Sequence, residues 1–300
     1  MEGLLYIETK AVGSGNAMLL MVAPASVRKD VMRMAHDGVT SGHLRRDKTL
    51  SRIRRVVCWP GMGEDVARWC AECVPCAMKK PGPGRRRNPM QHVNTGSPLE
   101  RIAIYIVGPL PRMENGNEYI MVMIDYFTKW AEAYALPYHT AQTVADKLLN
   151  EFVCRFAVPQ RIHTDQGREF ESHLFARICE ILEIEKTRTT LYRPQSDGLV
   201  ERFNKTLQQM LSIFVNENRS DWDNYIPFLL MAYRSSQKQS TQCTPNLLML
   251  GREVRLPLGV IVGPVPCSGM RRGDIRTDSE GPGVQPTVGA SGRSKTLQSH

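Results

Sequence analysis

Apolar and polar positions change rhythm several times along this chain, and each change marks an element. Residues 4–7 and 18–23 are apolar and flank the turn-forming run Gly13-Ser14-Gly15-Asn16, which predicts a β-hairpin within residues 1–24. Val27, Val31, Met34 and Ala35 then recur at helical spacing, with Ser26 as a candidate N-cap. Two further short helices are predicted over 46–57 and 63–76, on either side of the break Trp59-Pro60-Gly61. From Met78 to Pro89 the chain carries three prolines, two glycines and five cations. That mixture cannot form a core and predicts a basic linker over 81–93.

Beyond the linker, alternation returns. Strands are predicted over 101–107, 119–125 and 130–136, followed by an amphipathic helix over 140–156 and a short strand over 161–164. A helix near 171–182, a strand near 184–188 and helices over 196–216 and 222–235 complete the pattern. Three antiparallel strands followed by alternating elements predict an α/β core over 94–262: a mixed sheet with helices on both faces. Gly, Pro, Ser and Thr dominate from residue 263, which predicts a disordered tail over 263–300. No run approaches a membrane span, and the early apolar run 17–25 contains Pro24 and makes a poor leader.

Charge changes this picture by its distribution. The chain of 300 residues has 39 basic and 30 acidic side chains, net +9. Residues 1–92 carry net +8, residues 93–262 net −1 and residues 263–300 net +2. The excess sits in Arg45, Arg46, Lys48, Arg52, Arg54 and Arg55, and in Lys79, Lys80, Arg85, Arg86 and Arg87. A basic region of this kind suits an anionic partner, nucleic acid foremost. No membrane or small-molecule partner is expected.

Eight cysteines are clustered rather than spread. His36 and His43 form one close pair and Cys73 and Cys76 another, with 29 residues between the pairs. Two pairs of N and S ligands suit tetrahedral zinc, which would fold a basic module over 25–80 too small to support itself. Cys70 leaves the set ambiguous, because Cys70, Cys73 and Cys76 offer three thiols at equal spacing.

A second constellation is carboxylate. Asp165 closes the strand 161–164 ahead of Gln166-Gly167, and Glu201 lies one turn into a predicted helix, with 35 residues between them. Paired carboxylates hold divalent cations for phosphoryl transfer.

Several segments, in order and at matching spacing over residues 4–260, resemble the integrase of gypsy-type LTR retrotransposons and host genes derived from them. They include Trp59-Pro60-Gly61-Met62, Gly108-Pro109-Leu110-Pro111, Ile124-Asp125-Tyr126-Phe127-Thr128-Lys129-Trp130, His163-Thr164-Asp165-Gln166-Gly167 and Val200-Glu201-Arg202-Phe203-Asn204. The resemblance implies a His-His-Cys-Cys zinc module with His36, His43, Cys73 and Cys76 as ligands and Cys70 outside the set. It implies a ribonuclease-H-like core of five strands with an Asp, Asp, Glu triad, of which Asp165 and Glu201 are the last two. Mg²⁺ or Mn²⁺ at that triad, double-stranded DNA as partner, a homo-oligomeric state and action in the nucleus follow from the same resemblance. DNA phosphates are expected on Lys79, Lys80, Arg85, Arg86, Arg87 and Lys205 and on the Arg45–Arg55 cluster.

The first triad position departs from the pattern. Three residues before Gly108 the resemblance expects Asp, and this chain has Tyr105. A phenol with a pKa near 10 is neutral at pH 7 and is a weak ligand for a hard cation. Asp125, on the adjacent predicted strand, is not a triad member in the family and is not expected to replace it. Gln242-Cys243 also departs from the Gly-aromatic pair usual before Thr244-Pro245, and no terminal β-barrel or chromodomain is visible in 263–300. The expectation is an integrase, a polynucleotidyl transferase impaired at Tyr105, with a non-catalytic DNA-binding scaffold as the alternative. A nuclease of RNA–DNA hybrids fits less well, because the block 195–204 matches integrases.

Overall fold

The computed structural model describes residues 5–10, 17–79, 95–189, 198–215 and 221–262. The expected turn at 13–16, the linker over 81–93, the tail over 263–300 and Ser196 lie outside the described residues.

The N-terminal hairpin pairs β1 (Tyr6–Lys10) with β2 (Ala17–Val22), in register from Tyr6 opposite Met21 to Lys10 opposite Ala17. Helix α1 (Ala25–Met32) starts behind Pro24, whose φ of −63° is already helical in sense. Ser26, expected as the N-cap, is instead the second helical residue, and Pro24 holds the cap position with no side-chain bond. The helix widens into a π-helical run, Arg33–Asp37, and a 3₁₀ turn, Val39–Ser41, follows.

Two sequence expectations are corrected next. Helix α2 (Arg46–Ile53) stops short of residue 57, because β3 (Val57–Cys58) peels away to pair in parallel with β2. The helix expected over 63–76 is two helices, α3 (Met62–Glu72) and α4 (Val74–Lys79), broken where Cys73 turns extended. Pro75 explains the break: it has no N–H to continue α3 but fits a first helical turn. Ala23, Ile53, Val57 and Val66 are fully buried at the centre of this unit.

The larger sheet runs in the order β6-β5-β4-β7-β8. Strands β4 (Arg101–Val107), β5 (Tyr119–Asp125) and β6 (Ala131–Leu136) are antiparallel, while β7 (Arg161–Thr164) and β8 (Glu185–Arg188) run parallel to β4. Side chains alternate across the sheet. Ile102 and Ile104 face a cluster with Val144, Leu148 and Phe175, from the helical stretch α5 (Ala141–Lys147), its π-helical continuation Leu148–Val153 and α6 (Cys154–Phe156), and from α7 (His173–Ile181). Ala103 and Tyr105 face the opposite cluster, with Val200, Phe203 and Leu207 of α8 (Gly198–Phe214) and Ile226 and Leu230 of α9 (Trp222–Arg234). Thr140 and Ser172 cap α5 and α7, accepting from Thr143 N and Phe175 N. Two short helices lacking a sequence expectation follow, α10 (Pro245–Leu250) and α11 (Pro257–Val262). Among the described residues no helix is long and apolar enough to cross a membrane.

The N-terminal unit is seated on α8 and α9. Gly42 makes this possible: its φ is +65°, and a Cβ there would lie 2.7 Å from Met210 Sδ and 3.1 Å from Ala232 Cβ. Beside it Arg52, only 6% exposed, spans the seam. One guanidinium nitrogen donates to Ala35 O (3.2 Å) and Ser41 O (3.1 Å). The other donates to Ala232 O (3.2 Å), Ser235 Oγ (3.2 Å) and Ser236 Oγ (3.4 Å) at the end of α9.

Candidate metal centre and catalytic face

Four side chains meet where the π-helical run, the Gly42 turn and the α3–α4 break converge. His36 lies in the run, His43 follows Gly42 with φ +46°, Cys73 ends α3 and Cys76 lies in α4. One ligand atom from each of His36, His43, Cys73 and Cys76 lies within 4.8 Å of all the others. Tetrahedral zinc, with N at about 2.0–2.1 Å and S at about 2.3 Å, requires N···S edges of about 3.6 Å. The edges are 3.3 Å (Cys73 Sγ to His43 Nδ1), 3.4 Å (Cys76 Sγ to His36 Nε2) and 3.6 Å (Cys76 Sγ to His43 Nδ1). The donors therefore fit a zinc ion in both type and spacing.

The surroundings of His36 settle its orientation. Its Nε2 faces Cys76, while Nδ1 lies 3.3 Å from Thr49 Oγ1. Thr49 gives its own proton to Leu44 O (3.0 Å), so its oxygen is left to accept Nδ1–H. That fixes the tautomer in which Nε2 carries the lone pair a metal needs. Cys70 Sγ lies on the Nδ1 side of the ring, 3.5 Å away, outside the four-atom group. Burial, with the Cys76 thiol and the Asp37 carboxylate adding, pushes the Cys73 thiol up to about 11. Metal uptake must therefore release protons.

The carboxylate face lies at the far end of β4. The β4–β7 ladder ends with Ile104 opposite Thr164, so Tyr105 and Asp165 follow at one level on neighbouring parallel strands. Gly167 N donates to Asp165 Oδ1 (2.9 Å), and the Tyr105 hydroxyl lies 3.4 Å from Thr189 Oγ1. Glu201 stands exposed in the first turn of α8, whose Leu199 and Val200 belong with Tyr105 to one apolar cluster. Asp165 therefore has a phenol beside it at this end of the sheet, and Glu201 belongs to the helix that packs on the face Tyr105 occupies. Among the described residues, the His/Cys set is the one group of three or more His, Cys, Asp or Glu able to hold an ion. Two carboxylates and a neutral phenol do not fit a pair of hard cations, and no metal-assisted step is assigned to this face.

Asp125 cannot replace the missing acid. It pairs with Ile102, three residues from Tyr105 along β4, about 10 Å away at strand rise. Its oxygens already accept from Leu99 N (3.0 Å), Thr128 N (2.7 Å) and Thr128 Oγ1 (2.6 Å), and it is 1% exposed.

Of the cations expected on DNA, Lys79 is exposed at the end of α4 and Lys205 is exposed on α8, one turn past Glu201. Lys80, Arg85, Arg86 and Arg87 lie outside the described residues. The Arg45–Arg55 cluster is corrected: Arg45, Arg46 and Arg54 are exposed, but Arg52 is buried in the seam and Arg55 pairs with Glu253 at 3.2 Å. Arg52 sits on the inward face of α2, whereas Arg55 lies just past its end and reaches Glu253. Sequence reasoning missed Thr49, whose only signal was its place one helical turn before Arg52.

Two family profiles match the chain. One, described as an integrase zinc binding domain, covers residues 23–82; the other, an integrase core domain, covers residues 106–194. The chain is 26% identical over 232 residues to a retrovirus-related Pol polyprotein from transposon 412 of Drosophila melanogaster, covering 77% of this chain and 19% of that one. It is 25% identical over 231 residues to gypsy retrotransposon integrase-like protein 1 of Bos taurus, covering 77% and 46%. It spans about a fifth of the polyproteins it matches. In fold it is similar to a chain of the simian T-cell lymphotropic virus intasome solved with the PP2A regulatory subunit B56 gamma, at 17% identity and TM-score 0.51, covering 73% of this chain and 74% of that one.

Proposed function

We propose that this chain, which carries the zinc-binding and core domains of an integrase, grips double-stranded DNA but is crippled in joining it. By descent it is a polynucleotidyl transferase that inserts element DNA into a target. In joining, a 3′-hydroxyl oxygen bonds to a target phosphorus, the bond from that phosphorus to its own 3′ oxygen breaks, and the proton passes to the leaving oxygen. The observation that carries the reading is Tyr105 beside Asp165, where a third carboxylate would complete the donor set. Zinc on His36, His43, Cys73 and Cys76 supplies structural closure of the N-terminal unit. The exposed cations Arg45, Arg46, Arg54, Lys79 and Lys205 contact phosphates. A homo-oligomeric state and action in the nucleus belong to this reading through the sequence resemblance to integrases.

A joining assay with an end-processed duplex and Mg²⁺ or Mn²⁺ tests this. The unaltered protein is expected to bind duplex and join none. Tyr105→Asp is expected to gain joining, and adding Glu201→Gln to abolish the gain. Joining by the unaltered protein that Glu201→Gln removes would refute the catalytic half. Failure to bind duplex at all would refute the other half.

A further inference from the structure

A cleft of about 480 Å³ opens along the seam between α2, α8 and the loop that follows α9. Arg45, Lys48 and Lys238 line it, with the neutral groups of Thr206 and Gln209 and one acid, Asp47, which is exposed. Lys238 is the unusual member. It is 8% exposed, and its ammonium donates to Tyr233 O (2.9 Å) while lying 3.0 Å from the centre of the Tyr233 ring. Its loop closes on itself through Lys238 N to Cys243 O (2.9 Å) and Gln242 N to Lys238 O (2.8 Å), which fixes the residue in place. Among the described residues no carboxylate forms an ion pair with it.

A cation at a helix C-terminus has a structural use, since the last carbonyls carry about half a negative charge. Here the end of α9 receives two buried cations, Lys238 on Tyr233 O and Arg52 on Ala232 O. Two full charges exceed what the helix end offsets. Buried charges of one sign with no counter-charge are costly to keep. Burial first, and then Lys48 and Arg52, push the Lys238 ammonium well below the usual lysine range. An anion in the cleft removes this imbalance. Ammonium groups acting as point charges, with the Gln209 amide alongside, suit a phosphate.

We propose that this cleft binds a phosphate group, with Lys238 as its buried anchor and Lys48 and Arg45 at its mouth. Where the phosphate belongs to the DNA backbone, the inference rests on the DNA-gripping reading above. A free polyphosphate offers the same chemistry, and the test separates the two.

The zinc-loaded full chain is titrated with a labelled blunt duplex and, separately, with inorganic pyrophosphate, for the unaltered protein, Lys238→Met and Lys48→Glu. Lys238→Met is expected to weaken duplex binding at least tenfold, to flatten its salt dependence by about one ion and to abolish pyrophosphate binding. Lys48→Glu, at the mouth, is expected to weaken both ligands and serves as the readout if Lys238→Met does not fold. If only pyrophosphate binding depends on Lys238, the phosphate site stands with a free polyphosphate as its source. The same holds if the unaltered protein binds pyrophosphate but no duplex, and then the DNA-gripping reading falls alone. If the unaltered protein binds duplex and folded variants hold both ligands with unchanged affinity, the cleft proposal falls alone. If the unaltered protein binds neither ligand, the cleft proposal falls with the DNA reading.

Discussion

Arg52 offers the sharpest test of how the two units are joined. Replacing it by Met keeps the stem and removes the fork. The two serine hydroxyls lose little, because both donate to Ala232 O and continue to do so. The carbonyls of Ala35 and Ser41 each lose a buried charged donor, which costs about 1–3 kcal/mol apiece. Against this stands the cost of burying the guanidinium. Desolvation first, and then Arg55, pull its pKa well below the usual arginine range, to about 10, equivalent to about 3 kcal/mol. Its Nε also has no partner among the described residues. Arg52→Met is therefore expected to lower stability by no more than about 3 kcal/mol. Arg52→Lys keeps a buried charge and cannot bridge five acceptors, so it is expected to be the worse variant, by about 1–3 kcal/mol. Urea unfolding of the zinc-loaded chain, followed by tryptophan fluorescence, measures both. A Met variant less stable than the Lys variant by more than about 1 kcal/mol would show that the charge, and not the fork geometry, holds the seam.

Thr49→Val removes the acceptor for His36 Nδ1–H and is expected to weaken zinc binding about 10–100-fold, read by competition with a chromophoric chelator; unchanged affinity would mean another group sets the tautomer. Gly42→Ala forces a Cβ against Met210 Sδ in a left-handed conformation and is expected to cost about 1–3 kcal/mol in thermal or urea unfolding. A neutral result there would mean that the seam is loosely packed. Lys238 has a folded-state pKa below its unfolded value near 10.5, so the unfolded chain binds more protons in that window and stability rises as pH climbs toward 10.5. The groups facing it are Lys48 and Arg52 of α2 and Tyr233 of α9, with Arg45 and Asp47 lining the same cleft. In phosphate-free buffer the difference between the unaltered protein and Lys238→Met is expected to carry this slope; parallel stability–pH curves would contradict the burial of a charged amine.

The sheet was legible because its alternation is strong: Ile102 and Ile104 against Ala103 and Tyr105 divide the two faces as the sequence pattern implies. The metal centre was legible in its two close pairs of His and Cys, but their spacing left Cys70 open; the resemblance set it aside, and the four remaining ligand atoms converge. What could not be read is whatever depends on contact between distant segments. Val57 and Cys58 look like a helix end until β2 is there to pair with them. Arg52 and Arg55 look like surface cations until Ala232, Ser235 and Glu253 arrive from the other end of the chain. Lys238 sits in a polar run, Gln237 to Thr241, that gives no sign of burial.

Tyr105 has a consequence for the history of such a chain. Its position on β4 faces the apolar cluster of Val200 and Phe203 and pairs with the buried Val122. An aspartate there would be a half-desolvated carboxylate in a strand, where Asp is a poor fit and Tyr a good one. The exchange from acid to phenol therefore runs downhill in stability, by about 1–3 kcal/mol on the mutational scale for burying a polar group. Going back runs uphill by the same amount, before any benefit of chemistry is felt. Such a step works as a ratchet: a lineage that takes it keeps its fold with greater ease and regains the acid only in a background with stability to spare.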